Sequence, residues 1–284
     1  MPTHHPAPPP DAIAPPAEFA AGLRAALPGW DVTWLASTPS TNAELQQYLK
    51  NGGTGPALLG SHYQTSGRGR AGRAWQARAG EALLFSCGWQ ADIAPARLPP
   101  LSLVAGIAAC EALGQLLGPY PDGVLSLKWP NDLQWNGAKL AGILVESVAT
   151  PAPGCTGVVL GMGLNLRGAA GLSRTLGREI ADWTLTGSPA GPARLVAEVA
   201  HAWRAAAQAY AAEGFAPFRE RFARWDALYG QPVRIINDGR VLFEGTARGV
   251  DERAMLQVED AEGRLQAVTV GDISVRAAPQ GGLA

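Results

Sequence analysis

Two hydrophobic rhythms alternate along most of the chain. Ala17 to Leu27 has helical spacing and stops at Pro28-Gly29. Strand-like apolar runs follow at Trp30 to Leu35, Pro56 to Tyr63, Glu81 to Trp89, Val124 to Trp129, Leu140 to Val145 and Thr156 to Leu166. Between them, Thr41 and Glu44 have capping-box spacing, which predicts a helix from Thr41 to about Lys50, closed by Asn51-Gly52-Gly53. Leu98 to Leu117 carries little charge beyond Glu111 and reads as a buried central helix. Asn136-Gly137 is a hairpin signal, and Arg167 to Thr186 is loop-like. Pro192 to Tyr210 is strongly amphipathic, with a second helix from about Phe215 to Leu228. At Tyr229-Gly230-Gln231-Pro232 the pattern changes. From Val233 to Val275 short strands alternate with turns at Asn237-Asp238-Gly239, Asp251-Glu252-Arg253, Glu262-Gly263 and Gly271-Asp272, which predicts a small β-barrel or sandwich. The divisions expected are a disordered Pro-rich tail at 1–16 with seven prolines and His4-His5, a main domain at 17–229, a barrel at 230–277 and a disordered tail at 278–284.

Composition narrows the class. The chain has 284 residues, 47% of them hydrophobic, and a net charge of −1, which argues against a surface devoted to nucleic acid. Cys87, Cys110 and Cys155 are far apart in apolar contexts, with neither metal spacing nor a disulfide framework, and read as free thiols in a reducing compartment. No apolar run is long enough to span a membrane, and the N-terminus does not look like a signal peptide.

The most distinctive stretch is Gln64 to Trp75, in which Gly67, Gly69 and Gly72 interleave with Arg68, Arg70 and Arg73. Glycine lets backbone N–H groups approach a ligand, and arginine brings a permanent planar cation. Such a loop folds over an anion. It matches Gly-x-Gly-x-x-Gly literally, but no helical period follows it and no ribose-binding acid lies downstream, so the nicotinamide reading is rejected; no Walker A pattern occurs. A nucleic-acid-binding Arg-Gly loop remains an alternative. A second constellation is Lys128-Trp129-Pro130-Asn131-Asp132, which sets an amine and a carboxylate within one turn; it also reads as an ordinary surface turn. Lys139 stands just before the buried run Leu140 to Val145, as a ligand-facing amine or a snorkelling lysine. Ser40, Thr41 and Asn42 read by themselves as helix capping.

Together these motifs resemble the biotin–protein ligases. Gln64 with Gly67 to Arg73 and Trp75 is similar to the family's biotin loop, and Lys128 to Asp132, Lys139 to Glu146, Gly161-Met162-Gly163-Leu164-Asn165 and Ser40-Thr41-Asn42 match its other signatures in order. The resemblance covers roughly Trp34 to Arg276. It implies an α+β fold, a mixed sheet flanked by helices like the class II aminoacyl-tRNA synthetase core, then the small β-barrel. It implies ATP-dependent formation of biotinyl-5′-AMP, then transfer of biotin to a lysine of the biotin carboxyl carrier protein of acetyl-CoA carboxylase, in the cytoplasm, with Mg²⁺. A homodimer is compatible with it.

Residue by residue, the resemblance assigns Ser40, Thr41 and Gln64 to the ureido ring, with Asn42 beside them. Arg68 and the Gly67, Gly69 and Arg70 backbone would meet carboxylate and phosphate, with Lys128 among the binding residues and Lys139 at the carboxylate and α-phosphate. Gly161 and Gly163 would admit the bicyclic ring, Asn165 would lie near the adenylate, and Asp132 would assist the incoming lysine or the metal. Arg248 would reach the nucleotide phosphates, and Trp183 is a weaker assignment to adenine. Lys139, Asp132 and Arg68 are the expected catalytic set. The chain departs from the family at Ala71, where a further Arg is common, and only about 39 residues precede Ser40, so no DNA-binding role is expected. A lipoate ligase shares the fold and chemistry, but the Trp-Pro-Asn-Asp run and the polar Ser-Thr/Gln set argue against it.

Overall fold

The structure, a computed structural model, describes residues 13–150, 155–237, 239–269 and 273–277. Residues 1–12 of the tail expected at 1–16, the tail expected at 278–284, and the turn residues Asp238 and Gly271-Asp272 lie outside the described residues. Part of the expected N-terminal tail is structured: Pro16 opens helix α1 (Pro16–Ala26), and the Ala14 carbonyl accepts from His62 Nε2 at 3.1 Å.

Seven strands form one mixed sheet in the order β1-β2-β3-β7-β6-β5-β4. They are β1 (Asp31–Leu35), β2 (Ala57–Ser61), β3 (Ala82–Ala91), β4 (Leu125–Lys128), β5 (Asp132–Trp135), β6 (Ala138–Ala149) and β7 (Thr156–Asn165). Only β1 and β2 pair in parallel. Side chains alternate between faces along a strand, so two sets of residues emerge on β7. Val158, Leu160, Met162 and Leu164 join the main core under the helices, while Val159 packs with Leu45 and Leu49 on the opposite face. Gly161 and Gly163 share the parity of Val159. Register carries that face sideways to Leu84 and Ser86 on β3 and to Gly142, Leu144 and Glu146 on β6.

The main core lies between this sheet and helices α1, α3 (Leu101–Gly114) and α5 (Pro192–Glu213). Helix α3 has no polar stripe because neighbours surround it, and Trp203 of α5 is fully buried with its indole N–H on the Ala105 carbonyl at 2.9 Å. Helix α2 (Thr41–Lys50) packs on the other face, against β2, β3, β6 and β7, and its N-terminal residues Ser40, Thr41 and Asn42 border a cavity on that face.

Three expected elements differ. Ser40, not Thr41, is the N-cap of α2, its Oγ accepting from the Ala43 N–H at 3.4 Å. Glu44 instead accepts from Thr38 Oγ1, so no capping box forms and the Thr41 hydroxyl is released for other contacts. The expected loop at 167–186 contains α4 (Ala169–Leu176), bounded by Gly168 and Gly177 in left-handed conformations; flanking glycines hid a short amphipathic helix. The helix expected at 215–228 is only α6 (Ala216–Ala223), because Trp225 to Ala227 run alongside β4: Leu127 N donates to the Trp225 carbonyl at 2.6 Å and Ala227 N to the Leu127 carbonyl at 3.2 Å.

The C-terminal unit is an antiparallel sheet in the order β11-β10-β9-β8-β12, built from β8 (Pro232–Asn237), β9 (Arg240–Val250), β10 (Leu256–Glu259), β11 (Leu265–Val268) and β12 (Ile273–Ala277). Trp129 fastens it to the main sheet, its buried indole N–H donating to the Ala254 carbonyl at 3.0 Å. At the same junction Asp226 is largely buried. Its Oδ1 accepts from the Leu228 N–H at 2.8 Å, while Oδ2 has no hydrogen-bond partner. Burial raises this carboxyl to a pKa of about 6, against the lowering effect of backbone N–H groups of Leu228 and Tyr229.

Candidate active site

A cavity of about 390 Å³ opens on the α2 face of the sheet, where Gly142, Gly161 and Gly163 present no side chain. Two of these glycines are needed for packing inside the protein itself. A Cβ on Gly161 would lie 2.1 Å from Asn42 Oδ1, and one on Gly163 would lie 2.4 Å from the Trp75 indole. The pair was expected to admit a ligand ring; here it admits an amide and an indole that wall the cavity.

One end of the cavity is uncharged and polar. The Thr41 N–H donates to Gln64 Oε1 at 2.7 Å, and the Thr41 hydroxyl lies 3.1 Å from the same oxygen and 2.7 Å from Ser86 Oγ. Ser86 in turn donates to Asn42 Oδ1 at 2.5 Å. The two hydroxyls own two protons for these three contacts. Because the Ser86 proton goes to Asn42, the Thr41 proton is shared between Ser86 and Gln64. Thr41 Oγ1 therefore keeps acceptor capacity for an N–H donor in the cavity. Ser40 and Asn42 line the same end. Ser86 escaped the sequence reading because a lone serine in an apolar strand carries no motif.

The other end is charged. Lys139 Nζ lies 2.5 Å from Asp132 Oδ1, and 5.5 Å from the centre of the Trp75 ring, within cation–π range. Both sit on hairpin-paired strands: Asp132 is opposite Lys128 at the base of the turn that holds the cis Trp129–Pro130 bond. The backbone of Lys139 is gripped by the segment after α4, through Lys139 N to the Glu179 carbonyl (3.2 Å) and Ala181 N to the Lys139 carbonyl (2.9 Å). That segment brings Arg178 to the cavity wall, a cation the sequence reading missed because the stretch looked like plain loop.

The glycine–arginine stretch is a small β-hairpin. Gly69 N donates to the Arg73 carbonyl at 2.7 Å and Trp75 N to the Gly67 carbonyl at 2.9 Å, with Arg70, Ala71 and Gly72 at the tip. Both Ala71 (φ 53) and Gly72 (φ 67) are left-handed. Arg68, Gly69, Arg70 and Arg73 line the cavity from above; Arg70 also donates to Asn131 Oδ1 at 3.3 Å.

Of the expected site residues, Ser40, Thr41, Asn42, Gln64, Arg68, Gly69 and Arg70 meet at this cavity, as do Lys128, Asp132, Lys139, Gly161 and Gly163. Four do not line it. Gly67 sits at the base of the hairpin against Gln64 and Trp75. Asn165 is buried, with its amide donating to the Lys139 and Ala181 carbonyls, so it braces Lys139 from behind. Arg248 is on the C-terminal sheet in an ion pair with Glu259 at 2.6 Å. Trp183 is likewise buried away from the cavity. Among the described residues, no group of three or more His, Cys, Asp or Glu forms a metal cluster. A divalent ion that travels with a nucleotide needs only one or two protein carboxylates. Asp132, with one oxygen given to Lys139, fits that sparse role and no larger one.

This architecture is that of an acyl-transferring ligase. Residues 34–165 match the biotin/lipoate A/B protein ligase family and residues 228–276 match the biotin protein ligase C-terminal domain. The chain is 35% identical to the biotin–[acetyl-CoA-carboxylase] ligase of Paracoccus denitrificans, over 81% of this chain and 95% of that protein. It is 32% identical to the bifunctional ligase/repressor BirA of Escherichia coli, over 89% and 76% of the two chains. The fold is similar to that of the biotin protein ligase from Aquifex aeolicus solved with biotin and ATP, with a TM-score of 0.71 at 24% identity, covering 87% of this chain and 99% of that one. The chain belongs to the biotin protein ligase family. Among the described residues, no helix is long and apolar enough to cross a membrane.

Proposed function

We propose that the protein activates biotin with ATP and transfers it to a lysine of the biotin carboxyl carrier protein of acetyl-CoA carboxylase. The observation that carries this reading is the polarity of one cavity: the neutral Thr41–Gln64–Ser86 cluster at one end, and Lys139, Asp132 and the arginine hairpin at the other. A ureido group offers N–H donors and a carbonyl to the first end, and a carboxylate reaches the second. A fatty acid or lipoate has no N–H for the free acceptor on Thr41 and would set an apolar chain against the buried Thr41 and Ser86 hydroxyls, which such sites penalise.

In the first step a biotin carboxylate oxygen attacks the α-phosphorus of ATP. The bond to the β-phosphate oxygen breaks, and pyrophosphate leaves. Lys139 and Arg68 supply fixed positive charge where negative charge accumulates. Magnesium, carried on the phosphates with Asp132 as its one protein carboxylate, would neutralise the leaving group. In the second step the carrier lysine amine attacks the acyl carbon, AMP leaves, and Asp132 is the acceptor for the amine proton. The hairpin lies over the cavity and would shield the acyl phosphate from water. The cytoplasm, which holds ATP and a carrier with unmodified lysine, is the compartment this reading requires.

The test is pyrophosphate release from ATP with biotin, lipoate or octanoate as the sole carboxylate. Biotin is expected to give the signal; equal signals from all three would remove the ureido assignment.

A further inference from the structure

Glu146 belongs to none of the roles assigned so far, yet it touches both halves of the site from behind. It lies on β6 with the parity of Gly142 and Leu144, opposite Val159, beyond the cavity wall. Its Oε2 accepts from Asn42 Nδ2 at 2.8 Å, and its Oε1 lies 3.8 Å from Arg68 Nη2. A carboxylate only accepts hydrogen bonds. It therefore turns the NH₂ of Asn42 toward itself, reinforced by the Leu144 carbonyl at 3.3 Å, and leaves Asn42 Oδ1 facing Ser86. Ser86 must then donate to Asn42, and Thr41 to Ser86. The donors run in one direction, Thr41 to Ser86 to Asn42 to Glu146. With that direction Thr41 Oγ1 accepts from neither neighbour, and both its lone pairs stay available to the cavity.

We propose that Glu146 is a positioning residue with two outputs. One oxygen sets the donor direction of the polar end of the cavity, through Asn42 and Ser86. The other tethers the arginine hairpin to the sheet through Arg68. Recognition of the neutral end of the ligand and the position of the lid over the charged end thus share one carboxylate. This rests on the biotin reading for the identity of the ligand, and on the geometry alone for the tether.

The two outputs separate by substitution. Glu146→Gln keeps an oxygen for Asn42 but loses the charge facing Arg68; Glu146→Leu loses both. Hydrogen exchange of the 65–76 peptide in the full-length, ligand-free protein reads the tether without reference to biotin. Glu146→Gln is expected to speed that exchange about fivefold, with exchange in β3 and β7 unchanged. Arg68→Gln should match it, and the double variant should add nothing. Biotin binding and biotinyl-adenylate release read the other output. Glu146→Gln should release adenylate faster with the biotin Kd nearly unchanged, and Glu146→Leu should raise that Kd about tenfold. Unchanged hairpin exchange in Glu146→Gln, additive loosening in the double variant, or equal biotin Kd for Gln and Leu would each overturn the proposal. If the wild-type protein forms no biotinyl adenylate, the biotin reading fails, and the tether stands or falls on exchange.

Discussion

Lys139 and Asp132 hold each other across adjacent strands, Nζ to Oδ1 at 2.5 Å, with the Trp75 indole beside the ammonium. In this arrangement the amine that would meet the carboxylate and α-phosphate is kept oriented by the acid that would receive the carrier lysine's proton. The two should fail differently. Lys139→Ala is expected to slow adenylate formation by roughly 10²- to 10³-fold, the loss seen when one fixed electrostatic donor is removed. Asp132→Asn should leave measurable pyrophosphate release but slow transfer from preformed adenylate to the carrier. Separate single-turnover measurements of the two steps check this, and equal defects in both steps would contradict the division of labour.

Gly161 and Gly163 give a sharper steric test. Gly161→Ala puts a methyl group 2.1 Å from Asn42 Oδ1 and forces the amide away from Ser86. Gly163→Ala pushes the Trp75 indole off the sheet. Each is expected to destabilise the protein by about 1–3 kcal/mol, as overpacking does. Gly161→Ala should also weaken biotin binding through Asn42. Thermal unfolding and biotin titration calorimetry on both variants check the prediction.

These glycines also show what the sequence carries and what it does not. Sequence pattern alone located six of the seven strands of the main sheet, because alternation and apolar runs are local; β5, only four residues long, was signalled just by the Asn136-Gly137 turn that follows it. The Gln64 to Trp75 and Lys128 to Asp132 motifs were legible because each packs several functional groups into one short segment. Ser86 and Glu146 were not, since their roles come from strand register: β3 and β6 flank β7 and carry both onto the face of Gly161. Arg178 was missed with helix α4, whose flanking glycines look like loop. Ser40 and Thr41 are adjacent and both have capping chemistry, and only the fold shows that the first caps the helix while the second turns to Gln64.

Ala71 is a non-glycine residue in the left-handed region at the tip of the hairpin. An L-residue pays about 1 kcal/mol there relative to glycine. Ala71→Gly removes that strain but frees the unfolded loop, so the net gain is expected to stay below about 1 kcal/mol. The hairpin should be more often formed, and biotinyl adenylate should leave more slowly. Stopped-flow release of the adenylate measures it; faster release would show that the tip is not strained in the closed form.

Arg178 reaches the cavity from the segment that grips the backbone of Lys139. The Thr41–Gln64 end lies across the cavity from Lys139, so Arg178 belongs to the nucleotide side of the proposed reaction. Arg178→Ala is expected to raise the KM for ATP about tenfold, the order of one charge-assisted contact, with little change in biotin Kd. Arg178→Lys should recover part of the loss. A matching loss in biotin affinity would move Arg178 to a purely structural role.

Asp226 supplies a pH dependence that is independent of the site. Its buried carboxyl has a folded-state pKa of about 6, raised from 3.8. Between those values the folded protein binds more protons at this residue than the unfolded chain, so stability falls as pH rises from about 4 to about 6 and stays reduced above. Two units correspond to roughly 3 kcal/mol at most. Asp226→Asn retains an oxygen for the Leu228 N–H and removes the charge. It should therefore be nearly neutral at pH 4 and stabilising at pH 7.5, by several degrees in the melting temperature. Melting curves of both proteins across this range decide the matter. A destabilised variant at pH 7.5 would mean that the ionised carboxylate is satisfied in solution, and that the junction between the two sheets tolerates its charge.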